Sequence, residues 1–154
     1  MGQSMRRKER ALTEEEAKEL LRKGEYGILS TVSADGQPYG VPLNYTYTGD
    51  VIYFHCALDG HKLINLQANS NVSFCVVGKT EVMPDKFATK YESVILFGEA
   101  CEVTGEEKQK GLVELLKKYS FGSMNEGLEY IQRSGDKTRV YKISVKSITG
   151  KARK

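Results

Sequence analysis

Hydrophobic and polar positions alternate along much of this chain with the two-residue period of β-strands. Asp35-Gly36 and Thr48-Gly49-Asp50 are tight-turn sequences, so the first three strands are expected to form an antiparallel meander. Gly98 lies inside a long strand and predicts a β-bulge. The stretch 79–91 has no clean period and is predicted to be an ordered loop. In all, the pattern predicts six strands, at 26–34, 37–48, 51–57, 71–78, 93–103 and 139–149.

The longest segments with helical spacing each begin at a capping box. Thr13 and Glu16 form a T-x-x-E box that opens the first helix, which Gly24 ends. Thr104 and Glu107 form a second box, followed by apolar residues at helical spacing: Leu112, Leu115, Leu116 and Tyr119.

Two shorter helices are predicted at 61–69 and 125–133. Leu63, Ile64 and Leu66 should face inward from the first of them. Six mostly antiparallel strands with helices in the connections close most naturally into a small barrel, because closure removes exposed sheet edges.

Two prolines place the second strand at an edge of the sheet. Pro38 and Pro42 cannot donate ladder hydrogen bonds, so this strand is expected to be an edge strand or bulged there. Backbone groups left unpaired beside them are available to a ligand.

Composition narrows the class of protein. A length of 154 residues fits one domain, 1–154, with a core large enough to fold without disulfides. No apolar run approaches the roughly 20 residues of a membrane span, and no secretory signal is present, so no membrane partner and a cytoplasmic location are expected. The net charge of +3 is mild and the basic ends are predicted to be solvated. No nucleic-acid partner is expected, since no Arg-rich groove with interleaved aromatics is evident.

The sequence lacks the residues and motifs that several kinds of site require. Cys56, Cys75 and Cys101 are far apart, which argues against disulfides and a zinc site, and His55 and His61 lack a nearby carboxylate cluster. The sequence has no dinucleotide-binding glycine motif, no P-loop and no nucleophile elbow. No metal is therefore expected.

The densest group of chemically capable residues is the segment 55–62, His-Cys-Ala-Leu-Asp-Gly-His-Lys. It joins a strand to a helix, and amides at a helix N-terminus are free to bind an anion. Lys62, and His61 when protonated, would strengthen a phosphate site there. The alternative is that Gly60 only makes the turn and Lys62 is solvated.

At this point the chain resembles a known family: the FMN-binding split barrels related to pyridoxamine-phosphate oxidases, in the branch that includes nitroimidazole-resistance proteins. The resemblance implies a mainly β (α+β) fold, a six-stranded antiparallel split β-barrel with flanking helices. It also implies a homodimer whose two chains together build each flavin site, with the strand from Ser93 to Val103 contributing apolar interface. The segments that carry it are 25–45, 51–66, 87–100 and 147–152.

The resemblance implies FMN as the cofactor, with FAD as the alternative. The isoalloxazine ring would lie along the second strand, and the phosphate would sit where the third strand ends and the next helix begins. Ser93 falls where an amide side chain contacts the flavin in the oxidases, and His61 stands where they have Arg. The implied cofactor-binding residues are Val41, Pro42, Leu43, Asn44, Tyr45, His55, Cys56, His61, Lys62 and Ser93.

The resemblance leaves two functions open. The first is an FMN-dependent oxidoreductase acting on a small molecule, with a nitroaromatic as one candidate substrate. The second is a non-catalytic flavin-binding or redox-sensing protein. Vitamin B6 oxidation is disfavoured, since the C-terminal Arg and His residues that grip pyridoxamine phosphate are not found. No catalytic residue is assigned, although His55 and Tyr45 are the nearest candidates for an acid or base.

Overall fold

A computed structural model describes residues 3–154 as one sheet with four α-helices and short 3-10 turns. In chain order its elements are α1 (Glu14–Lys23), β1 (Gly27–Val32), β2 (Pro38–Leu43), β3 (Thr46–Thr48), β4 (Val51–Cys56), α2 (His61–Ala68), β5 (Asn71–Met83), β6 (Ala88–Val103), α3 (Gly105–Tyr119), α4 (Met124–Ser134) and β7 (Arg139–Arg153).

The sheet has seven antiparallel strands in the order β2-β1-β5-β6-β7-β4-β3, and it curves into a split-barrel arrangement without closing. The mainly β (α+β) split-barrel class is confirmed, and β2 is an edge strand as the prolines predict. The prediction of a single strand at 37–48 is wrong. The strand breaks at Asn44-Tyr45, and β3 pairs with β4 at the opposite edge of the sheet. The first three strands therefore do not form a meander, and there are seven strands rather than six.

The longest hairpin joins β5 and β6, and it includes the segment predicted as a loop. Residues 79–83 continue β5, and a 3-10 turn at Pro84–Lys86 leads into β6. The sequence shows no strand pattern there because nearly every side chain from 77 to 82 is exposed. Without a buried face, hydrophobic and polar residues need not alternate. The bulge at Gly98 is confirmed by the register shift against β7.

Helix α1 begins as predicted and packs closely on the sheet. The Thr13 hydroxyl accepts from the Glu16 amide at 3.1 Å, and the Glu16 carboxylate accepts from the Thr13 amide at 3.0 Å. Gly24 ends the helix against the Tyr45 hydroxyl and the Val76 side chain, and a Cβ there would clash with both. Glycine is needed at this position for close approach.

Helix α3 begins differently from the prediction. Thr104 makes no side-chain cap, and the Glu107 carboxylate, the other half of the predicted box, pairs with Lys142 of β7 at 3.0 Å. The helix itself forms over Gly105–Tyr119 and covers a small apolar cluster of Tyr53, Val103 and Val140.

The main core lies inside the curve of the sheet and is lined by side chains that are almost fully buried, including Leu29, Phe54, Phe74, Leu96 and Ile143. Helix α2 caps one end of this core with Leu63 and Leu66, as predicted. Ile64 does not face inward, since it is 67% exposed. Asn65 is buried in its place and donates to the Thr31 hydroxyl at 3.0 Å.

Within residues 3–154, no helix has the length and apolar character needed to cross a membrane. The same residues contain no group of three or more His, Cys, Asp or Glu side chains placed to hold a metal ion.

Candidate functional site

The fold brings the edge strand β2 against the N-terminus of α2. The ring of Tyr39, on β2, stacks on the imidazole of His61, the first residue of α2, with centroids 4.0 Å apart. These two elements carry half of the ten residues that the family resemblance assigns to the cofactor. The predicted ring strand and the predicted phosphate site are therefore neighbours in one chain.

The N-terminus of α2 has the donors that an anion needs. Gly60 precedes the helix with φ of 146°, a conformation that favours glycine, and it has no side chain to cap the helix. The first α2 carbonyl bond runs from the Ile64 amide to the Gly60 carbonyl, so the amides of residues 61–63 have no acceptor within the helix. Lys62 is half-buried beside them. The first turn of α2 therefore offers free amides and the positive end of a helix dipole, and it carries Lys62.

His55 lies close enough to Lys62 for the ammonium to affect the pKa of its imidazole. Partial burial of the ring is the main cause that lowers the pKa of His55, and the Lys62 ammonium lowers it further, although the residue as a whole is exposed to solvent. His55 is therefore largely neutral at neutral pH. Cys56 points the other way, into the core, where burial raises the pKa of its thiol. Only the backbone of Cys56 is left to face a ligand.

The end of β2 combines an apolar inner face with an open edge. Val41 and Leu43 pack against the main core, and Pro42 points outward between them. Asn44 follows the strand and is exposed. Among residues 3–154, β1 alone pairs with β2, so backbone groups on the other edge of β2 have no ladder partner there. A planar ligand with hydrogen-bonding edges could pair with these free backbone groups.

Tyr45 has a different role from its neighbours. Its side chain is buried, burial raises the pKa of its phenol, and its hydroxyl donates to the Leu21 carbonyl. Its backbone is also engaged: the Tyr45 amide donates to the Tyr119 hydroxyl at 3.1 Å, and its carbonyl accepts from Lys118 Nζ at 3.0 Å. Tyr45 therefore anchors the break between β2 and β3 and holds Asn44 in place.

Sequence reasoning missed Lys118 and Tyr119 as parts of this region. The Tyr119 hydroxyl also donates to the Glu25 carbonyl at 2.6 Å, and the Lys118 ammonium lies 3.8 Å from the centre of the Tyr45 ring. Burial lowers the pKa of Lys118 to about 8. The helical stripe that ends at Tyr119 was the available indication, but these contacts span more than seventy residues of sequence.

Ser93 is not brought together with the other predicted residues within one chain. It lies on β6, separated from β2 by β1 and β5. Its side chain lies on the same outward face of β6 as Ile95 and Phe97, which are 44% and 40% exposed. On the neighbouring strand β5, Val77 is the residue paired with Ser93. The outer face of the sheet here is thus apolar and open.

A cavity of about 180 Å³ lies beyond Asn44 and His55, between α3, α4 and the end of β4. Most of its wall is apolar, and no Lys, Arg, Asp or Glu lines it. The stripe predicted on α3 lines this cavity rather than the main core. The lining residues are Asn44, His55, Leu112, Leu115, Leu116, Tyr119, Ser120, Tyr130, Ile131, Ser134, Gly135 and Thr138.

Comparison with solved structures supports the fold. A candidate 5-nitroimidazole antibiotic resistance protein from Bacteroides thetaiotaomicron superposes with a TM-score of 0.79 at 22% identity, covering 92% of this chain and 86% of that one. A FAD-binding protein from Mesorhizobium loti gives 0.69 at 22% identity, covering 94% and 98%. A FAD and heme binding protein from Mycobacterium smegmatis gives 0.79 at 18% identity, covering 91% and 71%.

The family is shown by sequence rather than by these structures. No curated protein is similar enough to this chain to count as a relative. The model of the pyridoxamine 5'-phosphate oxidase family, however, matches residues 13–152, which include every strand and helix described above except the last residue of β7. This chain therefore belongs to the pyridoxamine 5'-phosphate oxidase family.

Proposed function

We propose that this protein binds FMN and acts as an oxidoreductase on a small molecule. The observation that carries the proposal is the convergence of the open edge of β2 with the uncapped N-terminus of α2, joined by the Tyr39–His61 stack. A flavin needs hydrogen-bonding partners along its ring and an anion site for its phosphate, and this region offers both.

In this proposal the phosphate lies against the amides of residues 61–63 with Lys62 as its ammonium partner. The ring lies along Val41, Pro42, Leu43 and Asn44, where β2 has no second ladder partner in the described part of the chain. When bound, the flavin supplies the electron-transfer chemistry, and the protein supplies position and electrostatics. FMN is proposed because the family that the sequence resembles binds FMN. FAD is the alternative, because two proteins of similar fold are FAD-binding.

A second copy of the chain completes the site in this proposal. Ser93 lies on the outward face with the exposed apolar side chains of Val77, Ile95 and Phe97. A symmetric dimer that buries this face would carry Ser93 of one copy toward the flavin of the other. Such an obligate interface buries about 2,000 Å² or more in total. Light scattering on the flavin-loaded protein is expected to show a dimer, and a flavin-holding monomer at micromolar concentration would contradict it.

Turnover is tested with the flavin already bound. The protein-bound flavin is reduced without oxygen, a nitroaromatic or another acceptor is added, and the return of the oxidised flavin's visible absorption is followed by stopped flow. Oxidation that saturates with acceptor concentration and exceeds that of free reduced FMN supports an oxidoreductase. Tight FMN binding with no acceleration for any acceptor would instead identify a flavin store or redox sensor.

A further inference from the structure

The cavity between α3 and α4 shares two residues with the proposed flavin site. Asn44 and His55 stand at one end of it, and the rest of the wall comes from the two helices and the segment that follows them. Within the described chain, neither core cluster includes Tyr130, Ile131 or Ser134 of α4, and α4 has no buried residue. The cavity is therefore a separate space beside the flavin site rather than a gap in the core.

We propose that this cavity is the substrate site, and that it takes a neutral single-ring aromatic molecule whose one polar substituent points to Asn44 and His55. The assignment rests on the proposed function, because it treats the shared wall as the boundary between substrate and flavin.

The size of the cavity selects one ring. An engineered protein cavity of about 150 Å³ lined by apolar side chains admits benzene. At about 180 Å³, this cavity has room for one six-membered ring with a small substituent. The three fused rings of a flavin need much more space, so the cavity is not the place of the isoalloxazine ring.

The chemistry of the wall selects a neutral ligand. Leu112, Leu116 and Ile131 are apolar but only half-buried, so they present unfilled apolar surface to the cavity. His55 is largely neutral, since burial and Lys62 lower its pKa. A carboxylate entering here would lose its hydration and make no direct ion pair, since the lining residues include no Lys or Arg, and this is costly. A neutral polar group keeps its hydrogen bonds by pairing with Asn44 or His55.

Benzamide and benzoate provide a matched pair of probes, since they share one ring and nearly one shape but differ in charge. Both are titrated into the flavin-loaded protein, and binding is followed by the NMR shifts of residues that line the cavity. Benzamide is expected to bind with shifts confined to that wall. Benzoate is expected to bind at least about tenfold more weakly, because its charge has no partner there.

Two substitutions fill the cavity from α4, and one neighbouring position serves as control. Ile131→Trp is expected to weaken benzamide binding at least about tenfold by occupying the space. Gln132→Trp adds the same ring on the exposed side of the same helix and should leave binding unchanged. Ser134→Phe fills the cavity from a second position, so the test stands if Ile131→Trp does not fold.

The outcomes separate this inference from the proposed function. Equal benzamide affinity in wild type and in both filled variants would overturn the assignment of the cavity. Loss of FMN binding in a folded filled variant would overturn it too, because the cavity would then belong to the flavin. If the wild type binds no FMN but binds benzamide at this wall, the flavin proposal fails while the binding site remains.

Discussion

Removal of the Lys62 ammonium is expected to weaken FMN binding far more than riboflavin binding. Lys62 is half-buried at the first turn of α2, and its charge reaches His55, where it contributes to lowering the pKa of the imidazole. In Lys62→Ala the phosphate would keep the helix amides but lose its charged partner. A hydrogen bond to a charged group contributes about 1.5–3 kcal/mol, which corresponds to roughly a tenfold to hundredfold rise in Kd.

Quenching of flavin fluorescence measures both affinities in one titration format. Lys110→Ala is the matched control, since it removes the same charge from an exposed position on α3. Riboflavin lacks the phosphate and should bind wild type and Lys62→Ala almost alike. If Lys62→Ala binds FMN as tightly as Lys110→Ala does, the phosphate does not lie at this helix and the reasoning is refuted. A parallel loss for riboflavin would point to general disruption instead.

FMN binding is expected to raise the pKa of His55, because a phosphate dianion offsets the Lys62 charge that helps to lower it; an NMR titration showing the same value with and without FMN would contradict this. The pKa of Lys118 falls from 10.5 to about 8 on burial, so the unfolded chain binds more protons between these values. The free energy of unfolding should therefore rise with pH across that window, by on the order of 1 kcal/mol after solvent screening. Urea titrations of wild type and Lys118→Met should show this rise only in wild type. Gly24→Ala should cost about 1–3 kcal/mol by overpacking, whereas Gly122→Ala, where a Cβ meets open space, should cost far less in the same assay.

Local sequence patterns predicted most helices and strands of this fold. The main error, the single strand at 37–48, arose where contacts between distant parts of the chain determine the structure. The capping box at Thr13 and the bulge at Gly98 depend on nearby residues or on a single glycine. The break at Asn44-Tyr45 depends instead on Lys118 and Tyr119, which hold the Tyr45 backbone from a helix far along the chain. No local pattern records such a contact.

The residues of the candidate site could be predicted only where they lie together in one short segment of sequence. The group from His55 to Lys62 is continuous in sequence, and its chemistry is visible there. The cavity is assembled from α3, α4, the end of β4 and connecting segments, so no single spacing joins all its residues, although the α3 stripe supplies four of them. Half-burial of an apolar helical stripe, which is what distinguishes a cavity wall from a core, is not recorded in the pattern of hydrophobic positions.

The central claim, that this chain is an FMN protein, is tested most directly by the cofactor it carries. Protein purified without added flavin is denatured, and the released small molecules are identified by mass spectrometry after the visible spectrum of the intact protein has been recorded. The account predicts a flavin spectrum and release of FMN, at about one molecule per chain of a two-site dimer. A colourless protein that also takes up neither FMN nor FAD when they are added would contradict it.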